Sequence, residues 1–260
     1  MQHRKICNLG AALCCCLLLA GCHSNSPVAA RYYNEGNSLF AKANFRAAIE
    51  KYEEAVTAGA ADGELFYNLG TAHFQSGDLG KAILWYLRTQ RLAPRDPDLR
   101  DNLNKVRNGR KDSLPGVKRS RLNVWWTWSL QRITLNETLG VELSAFLLAI
   151  GILLLRTLCP RLFSGRRTHL VIALIAVVWV VTTVFAISRV SFDLRENPGV
   201  ITVAETKGRN GPGEQFPVAF TIHEGLEVQS KRKQGTWRQV RLSNGWTGWV
   251  KQDAVESVDL

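Results

Sequence analysis

Gly36 and Gly70, Ala48 and Ala82, and Tyr52 and Tyr86 form three pairs, each 34 residues apart. This period constrains the chain more than any other feature, because a helical unit of that length buries its apolar face only against a neighbouring element. Apolar residues in each unit follow helical spacing, which Ala43-Asn44-Phe45 and Gly77-Asp78-Leu79-Gly80 interrupt. Each unit is therefore expected to be a helical hairpin. Its small residues let the helices approach, and its tyrosine fills the space between hairpins.

The pattern resembles the tetratricopeptide repeat. The second unit carries Phe66, Leu69, Gly70, Ala82, Tyr86 and Pro94, with His73 and Thr89 as departures. The first carries Tyr32, Gly36, Ala48, Tyr52 and Ala55, with Ala60 in place of the proline. A third copy begins at Asn102-Leu103 and fades, as a polar capping helix would. The resemblance implies a concave peptide-binding groove on the first helix of each hairpin. Its candidate residues are Tyr33, Asn37 and Phe40 in the first unit, and Tyr67, Thr71, Phe74 and Gln75 in the second. The lysines that clamp a terminal carboxylate in some relatives are missing, so that ligand is not expected.

Leu170 to Ile187 is an uncharged run of 18 residues and reads as a transmembrane helix. A second candidate runs from about Leu139 to Leu155, with Glu142 expected near the interface and Arg156 at its end. Upstream, Trp125, Trp126 and Trp128 follow a basic stretch and predict an interfacial helix. The net charge of +11 is uneven. Residues 31–107 are nearly balanced, whereas residues 108–123 hold five basic side chains and one acidic, and residues 156–167 hold four arginines and no acid. Positive charge beside apolar segments points to anionic lipid headgroups as partners, not to nucleic acid.

Five of the six cysteines fall within the first 22 residues. There a basic start leads into an apolar stretch from Ile6 to Ala20, the plan of a secretory signal. Leu19-Ala20-Gly21-Cys22 resembles the bacterial lipobox, which implies lipidation of Cys22. An uncut anchor and cleavage after Val28-Ala29-Ala30 are the alternatives, and every version exports the chain that follows. After Cys22 only Cys159 remains, so no disulfide is expected within the exported domains. Two spans then return the chain to the exported side, with only the arginine-rich turn at 156–167 facing the cytosol.

From about residue 190 short apolar runs alternate with Gly, Pro and Asn: 200–203, 219–222, 226–228, 237–242 and 248–250. They predict a small β-barrel. Gly211-Pro212-Gly213, Phe216-Pro217-Val218, Glu224-Gly225 and the closing Gly248-Trp249-Val250 resemble the bacterial SH3 domain. Trp249 is expected in the core and Trp237 and Trp246 on the surface, while Asn244-Gly245 predicts a tight hairpin turn. The resemblance implies binding of cell-wall peptides or proteins.

The fold class is thus multidomain: α-helical tetratricopeptide hairpins, a two-helix membrane hairpin and a small all-β SH3-like barrel. The expected boundaries are a signal peptide at 1–21, a linker at 22–30, repeats at 31–107, a basic and Trp-rich interfacial segment at 108–137, two spans at 138–189 and the barrel at 190–260. This order resembles the BatE-like membrane proteins of the bacterial aerotolerance operon. That resemblance implies a bacterial inner-membrane scaffold with both soluble domains in the periplasm. Implied partners are membrane proteins with von Willebrand A domains and a MoxR-type ATPase. The alternative is a peptidoglycan-binding protein that assists wall turnover. No enzyme activity, metal or cofactor is expected, because Cys22 is destined for lipid, Cys159 adjoins a span and the five histidines form no constellation.

Overall fold

The computed structural model describes residues 26–115, 120–158 and 166–259. The signal segment with Cys22 and the turn with Cys159 lie outside these residues. The chain divides into two compact units, Met1–Ala61 and Asp62–Leu260.

The first unit is a hairpin of α1 (Pro27–Ala41) and α2 (Phe45–Thr57). Proline at the start of α1 supplies a helical φ where no N–H is needed. Ala43 turns the chain with a positive φ of 57°, and its repeat counterpart Gly77 does the same at 87°. Gly36 lies so close to the Tyr52 ring that an added Cβ would stand 2.5 Å from it. Tyr52 itself is 1% exposed.

The second unit repeats that hairpin as α3 (Gly63–Gln75) and α4 (Leu79–Leu92). Asp62 caps α3 through the Leu65 N–H at 2.8 Å, and Asp78 caps α4 through the Lys81 N–H at 2.9 Å. The expected third element is α5 (Pro97–Asn108), which lays Leu99, Leu103 and Val106 on α4. In α4 the five consecutive residues Ala82 to Tyr86 are all buried, so the helix is covered on more than one face.

Next come α6 (Arg121–Arg132) and the antiparallel pair α7 (Leu135–Leu158) and α8 (Arg166–Glu196). Ser120 caps α6 through the Asn123 N–H. Two stretches, Asn136–Leu158 and Ala173–Ser191, are long and apolar enough to cross a membrane. Their large apolar side chains are widely exposed, from Leu143 and Phe146 on α7 to Val177 and Val181 on α8. Thr183 donates to the Glu142 carboxylate at 2.6 Å and joins the two helices within these stretches. Toward the same end, where α7 begins and α8 finishes, Arg189 is buried and donates to the Ile133 carbonyl at 3.2 Å. Asn197 (φ 34°) and Pro198 stop α8 and start the barrel with one residue between them.

The barrel strands are β1 (Pro198–Ile201), β2 (Glu205–Arg209), β3 (Val218–His223), β4 (Glu227–Gln234), β5 (Trp237–Arg241), β6 (Thr247–Lys251) and β7 (Val255–Ser257). They form one antiparallel sheet in the order β3-β2-β6-β5-β4-β1-β7. Ile201, Ile222, Val228, Val240, Val250 and Val255 fill its centre. The apolar pattern does not reveal β2, because the one buried residue of Glu-Thr-Lys-Gly-Arg is Gly208. Trp249 corrects a second expectation. Gly248 and Val250 take the inward positions of β6, and alternation leaves the tryptophan half-buried on the other face.

Candidate interaction surfaces

The residues assigned to the groove hold each hairpin together. In the first, the Tyr33 ring lies against Tyr52 at 6.0 Å between centroids, and the Tyr52 hydroxyl donates to Asn37 at 2.8 Å. Phe40 meets the edge of Phe45 at 5.3 Å. In the second, Tyr67 lies against Tyr86 at 5.7 Å, and the Tyr86 and Thr71 hydroxyls are hydrogen-bonded at 3.0 Å. Asn102 of α5 donates to the Tyr67 hydroxyl at 2.6 Å, Phe74 packs on the core and Gln75 is exposed. Residues 33 and 67, 37 and 71, and 52 and 86 are repeat counterparts, so one tyrosine-locked arrangement is built twice. Burial pushes the Tyr86 pKa up to about 12, against the pull of the Thr71 hydrogen bond. Burial also raises Tyr67, helped by the charges of Asp98 and Asp96.

The barrel does not stand apart from α3–α5. Val200 and Val258 join a single core with Ala82, Ile83, Leu84, Tyr86, Leu99, Leu103 and Val106. At Gly80 an added Cβ would stand 2.8 Å from the Ile201 carbonyl oxygen, so only glycine admits the barrel backbone there. Arg107 grips Glu227 with two hydrogen bonds of 2.7 Å, and Arg110 adds a third at 3.3 Å. Arg88, stacked on Trp85, donates to the Ser257 and Val258 carbonyls. Residues 110–114, expected in the headgroup layer, instead strap the barrel. Asp112 accepts from the His223 N–H at 2.6 Å and lies 3.0 Å from its Nδ1, Lys111 lies 2.8 Å from Nε2, and Leu114 packs on the barrel core. The signal for this contact was the unbroken Ala82-Ile83-Leu84-Trp85-Tyr86 run, too apolar for a helix with one buried face.

Trp237 and Trp246 sit at opposite ends of β5. Trp246 is 59% exposed and stacks on Phe220 at 6.4 Å. Phe220 in turn lies over Gly208 and Gly248, and Phe216 lies over Gly211. An added Cβ at any of the three would stand within 2.7 Å of a ring carbon, so these rings need glycine beneath them. With Val218 the aromatics make an exposed apolar patch on a glycine floor. Trp237 borders a polar hollow of about 330 Å³ with Lys207, Arg209, Glu214 and Lys251. Hydrogen bonding to Lys251, then the Arg209 charge, holds the Glu214 carboxyl below its ordinary value.

Residues 33–97 match the tetratricopeptide repeat model, and residues 203–256 match the bacterial SH3 domain model. The chain joins a helical repeat module to an SH3-like sheet through two apolar helices. No curated protein matches it. Repeats of this kind mediate protein–protein contact and bacterial SH3 domains often bind the cell wall, so the domain content fits an adaptor. Among the described residues, no group of three or more His, Cys, Asp or Glu side chains is placed to hold a metal ion.

Proposed function

We propose that this chain is a non-catalytic adaptor of the bacterial inner membrane, with the repeats and the barrel both on the periplasmic side. One observation carries the reading: Val200 and Val258 of the barrel share a core with α4 and α5. A continuous apolar core cannot be assembled from pieces on two sides of a bilayer. The repeat and barrel sequences therefore belong on one face, and α7 and α8, which separate them in the chain, cross and return. Lipidation of Cys22 would add a second anchor on that face.

By its resemblance to the BatE-like proteins, the adaptor serves an envelope or oxidative-stress complex of the aerotolerance type. Its partners there are von Willebrand A domain membrane proteins and a MoxR-type ATPase. The repeat faces around Tyr33, Asn37 and Phe40, and around Tyr67, Thr71, Phe74 and Gln75, are the surfaces offered to peptide segments. A second reading, recognition of peptidoglycan, is favoured by the exposed Phe216 and by Trp246, which stacks on the half-buried Phe220.

Co-purification from detergent-solubilised membranes separates the two. Recovery of von Willebrand A domain proteins or the ATPase supports the adaptor; binding of purified wall fragments with no such protein recovered supports wall recognition. Proteolysis of intact spheroplasts should remove residues 200–260, and their protection would overturn the topology.

A further inference from the structure

The corner between α4 and α5 faces α6 across a groove of about 200 Å³ bordered by Gln90, Arg95, Asp96, Arg100, Trp128 and Arg132. We infer that this groove binds the phosphate of an anionic phospholipid headgroup. The inference rests on the membrane-crossing reading of α7 and α8.

Three guanidinium groups line the space against one carboxylate. That carboxylate, Asp96, is occupied as the cap of α5, accepting from the Asp98 and Leu99 N–H groups. Arg95 pairs with Glu137. Arg132 stacks on the Trp128 ring, 4.9 Å from its centroid, and the Arg100 side chain is 64% exposed, with Asp101 3.7 Å away. Arg100 and Arg132 therefore hold cationic capacity that the groove's own acid does not neutralise. A planar guanidinium with several donors suits phosphate better than an ammonium does. The volume equals that of about seven waters, room for a phosphate and the first atoms of its glycerol.

The position selects a lipid over a soluble anion. Glu137 is the second residue of the apolar stretch, so its partner Arg95 stands at the edge of the hydrocarbon, within the ~5–8 Å headgroup layer. Trp125 and Trp128 are half or more exposed, the placement of interfacial anchors. Trp126, from the same helix, packs edge-on against Phe185 of α8 at 5.6 Å and fixes α6 beside the bilayer. On this topology the arginines lie on the exported side, against the usual charge bias. A bound lipid anion supplies their counter-charge there.

The test uses the full chain in nanodiscs of phosphatidylcholine with a minority of phosphatidylglycerol. Lipids retained after mild delipidation are counted by native mass spectrometry. The wild type should enrich phosphatidylglycerol, and Arg100→Gln and Arg132→Gln should each lower that enrichment about fivefold. Arg121→Gln, which removes the same charge from α6 outside the groove, should leave it unchanged. Equal loss in Arg121→Gln, or no loss in the groove variants, overturns the site. Displacement of the lipid by millimolar inorganic phosphate would reassign it to a free anion and overturn the lipid assignment. Failure of the chain to sediment with membranes would instead sink the membrane-crossing reading, a separate outcome scored before delipidation.

Discussion

Position for position, α2 carries Arg46, Glu50 and Lys51 where α4 carries Gly80, Leu84 and Trp85. Both hairpins seat a tyrosine on a glycine and tie its hydroxyl to the residue 15 positions earlier. The shared positions make the hairpin, whereas the differing ones decide what its second helix meets. Arg46 and Glu50 are exposed, while Gly80 and Leu84 are buried beneath α5 and the barrel. One repeat sequence can thus specify a fold twice and a docking surface once.

Exchanging residues between the hairpins tests that division. Leu84→Glu, which writes the first hairpin's residue into the second, buries an unpaired carboxylate and should cost about 4 kcal/mol or more. Glu50→Leu should change stability by less than about 0.5 kcal/mol. Chemical unfolding of the solubilised chain measures both, and equal effects would break the comparison. Gly80→Val, forced against the barrel backbone, should cost about 3 kcal/mol and expose the barrel to limited proteolysis. Arg46→Val should do neither.

Gly36→Ala and Gly70→Ala probe what the hairpins share. Each pushes a methyl to within 2.6 Å of a tyrosine ring, so each should cost about 2 kcal/mol. A marked inequality would mean that the two tyrosines are not equivalent.

The smallest difference lies in the caps. Asp78 accepts the Lys81 N–H, whereas its counterpart Asn44 makes no side-chain cap bond. Asp78→Ala should therefore cost about 1 kcal/mol and Asn44→Ala close to nothing. Burial alone would raise the Asp78 pKa, but hydrogen bonds to His73 and the Lys81 N–H outweigh it, and the carboxyl sits below its ordinary 3.8. Its contribution is accordingly full at neutral pH and fades as pH falls below 3.8 through the depressed value. Asp78→Asn should flatten that part of an acid-unfolding curve.

The hairpins and most strands were legible because each has a period of its own in apolar residues, and the two long helices because their apolar runs are nearly free of charge. Strand β2 was hidden because its inward residue, Gly208, carries no side chain. The role of Gly208 and Gly248 was hidden for a related reason: a glycine floor is defined by the Phe220 ring above it, which comes from another strand. Spacing puts the groove residues on the first helix of each hairpin, yet spacing alone cannot show that Asn37 and Thr71 are hydrogen-bonded to a tyrosine hydroxyl. At Asn244-Gly245 the pair does mark the turn, with only Gly245 at positive φ (93°). Asn244 serves through its side chain, accepting the Trp246 N–H at 3.0 Å. The shared core was least legible, since it joins residues 82 and 258 through contacts that no local pattern records.

Helix α8 is 31 residues long, about 46 Å, against a hydrocarbon layer of about 30 Å. It passes into β1 with Asn197 alone between them, and the barrel is already seated on α4. A flexible tether would let these domains sweep a volume above the membrane. On the membrane-crossing topology proposed above, a continuous helix would instead act as a rigid post that sets one elevation and one azimuth. On that topology, partners confined to the same bilayer would meet the surfaces at a constant height, and their search would shrink from three dimensions to two.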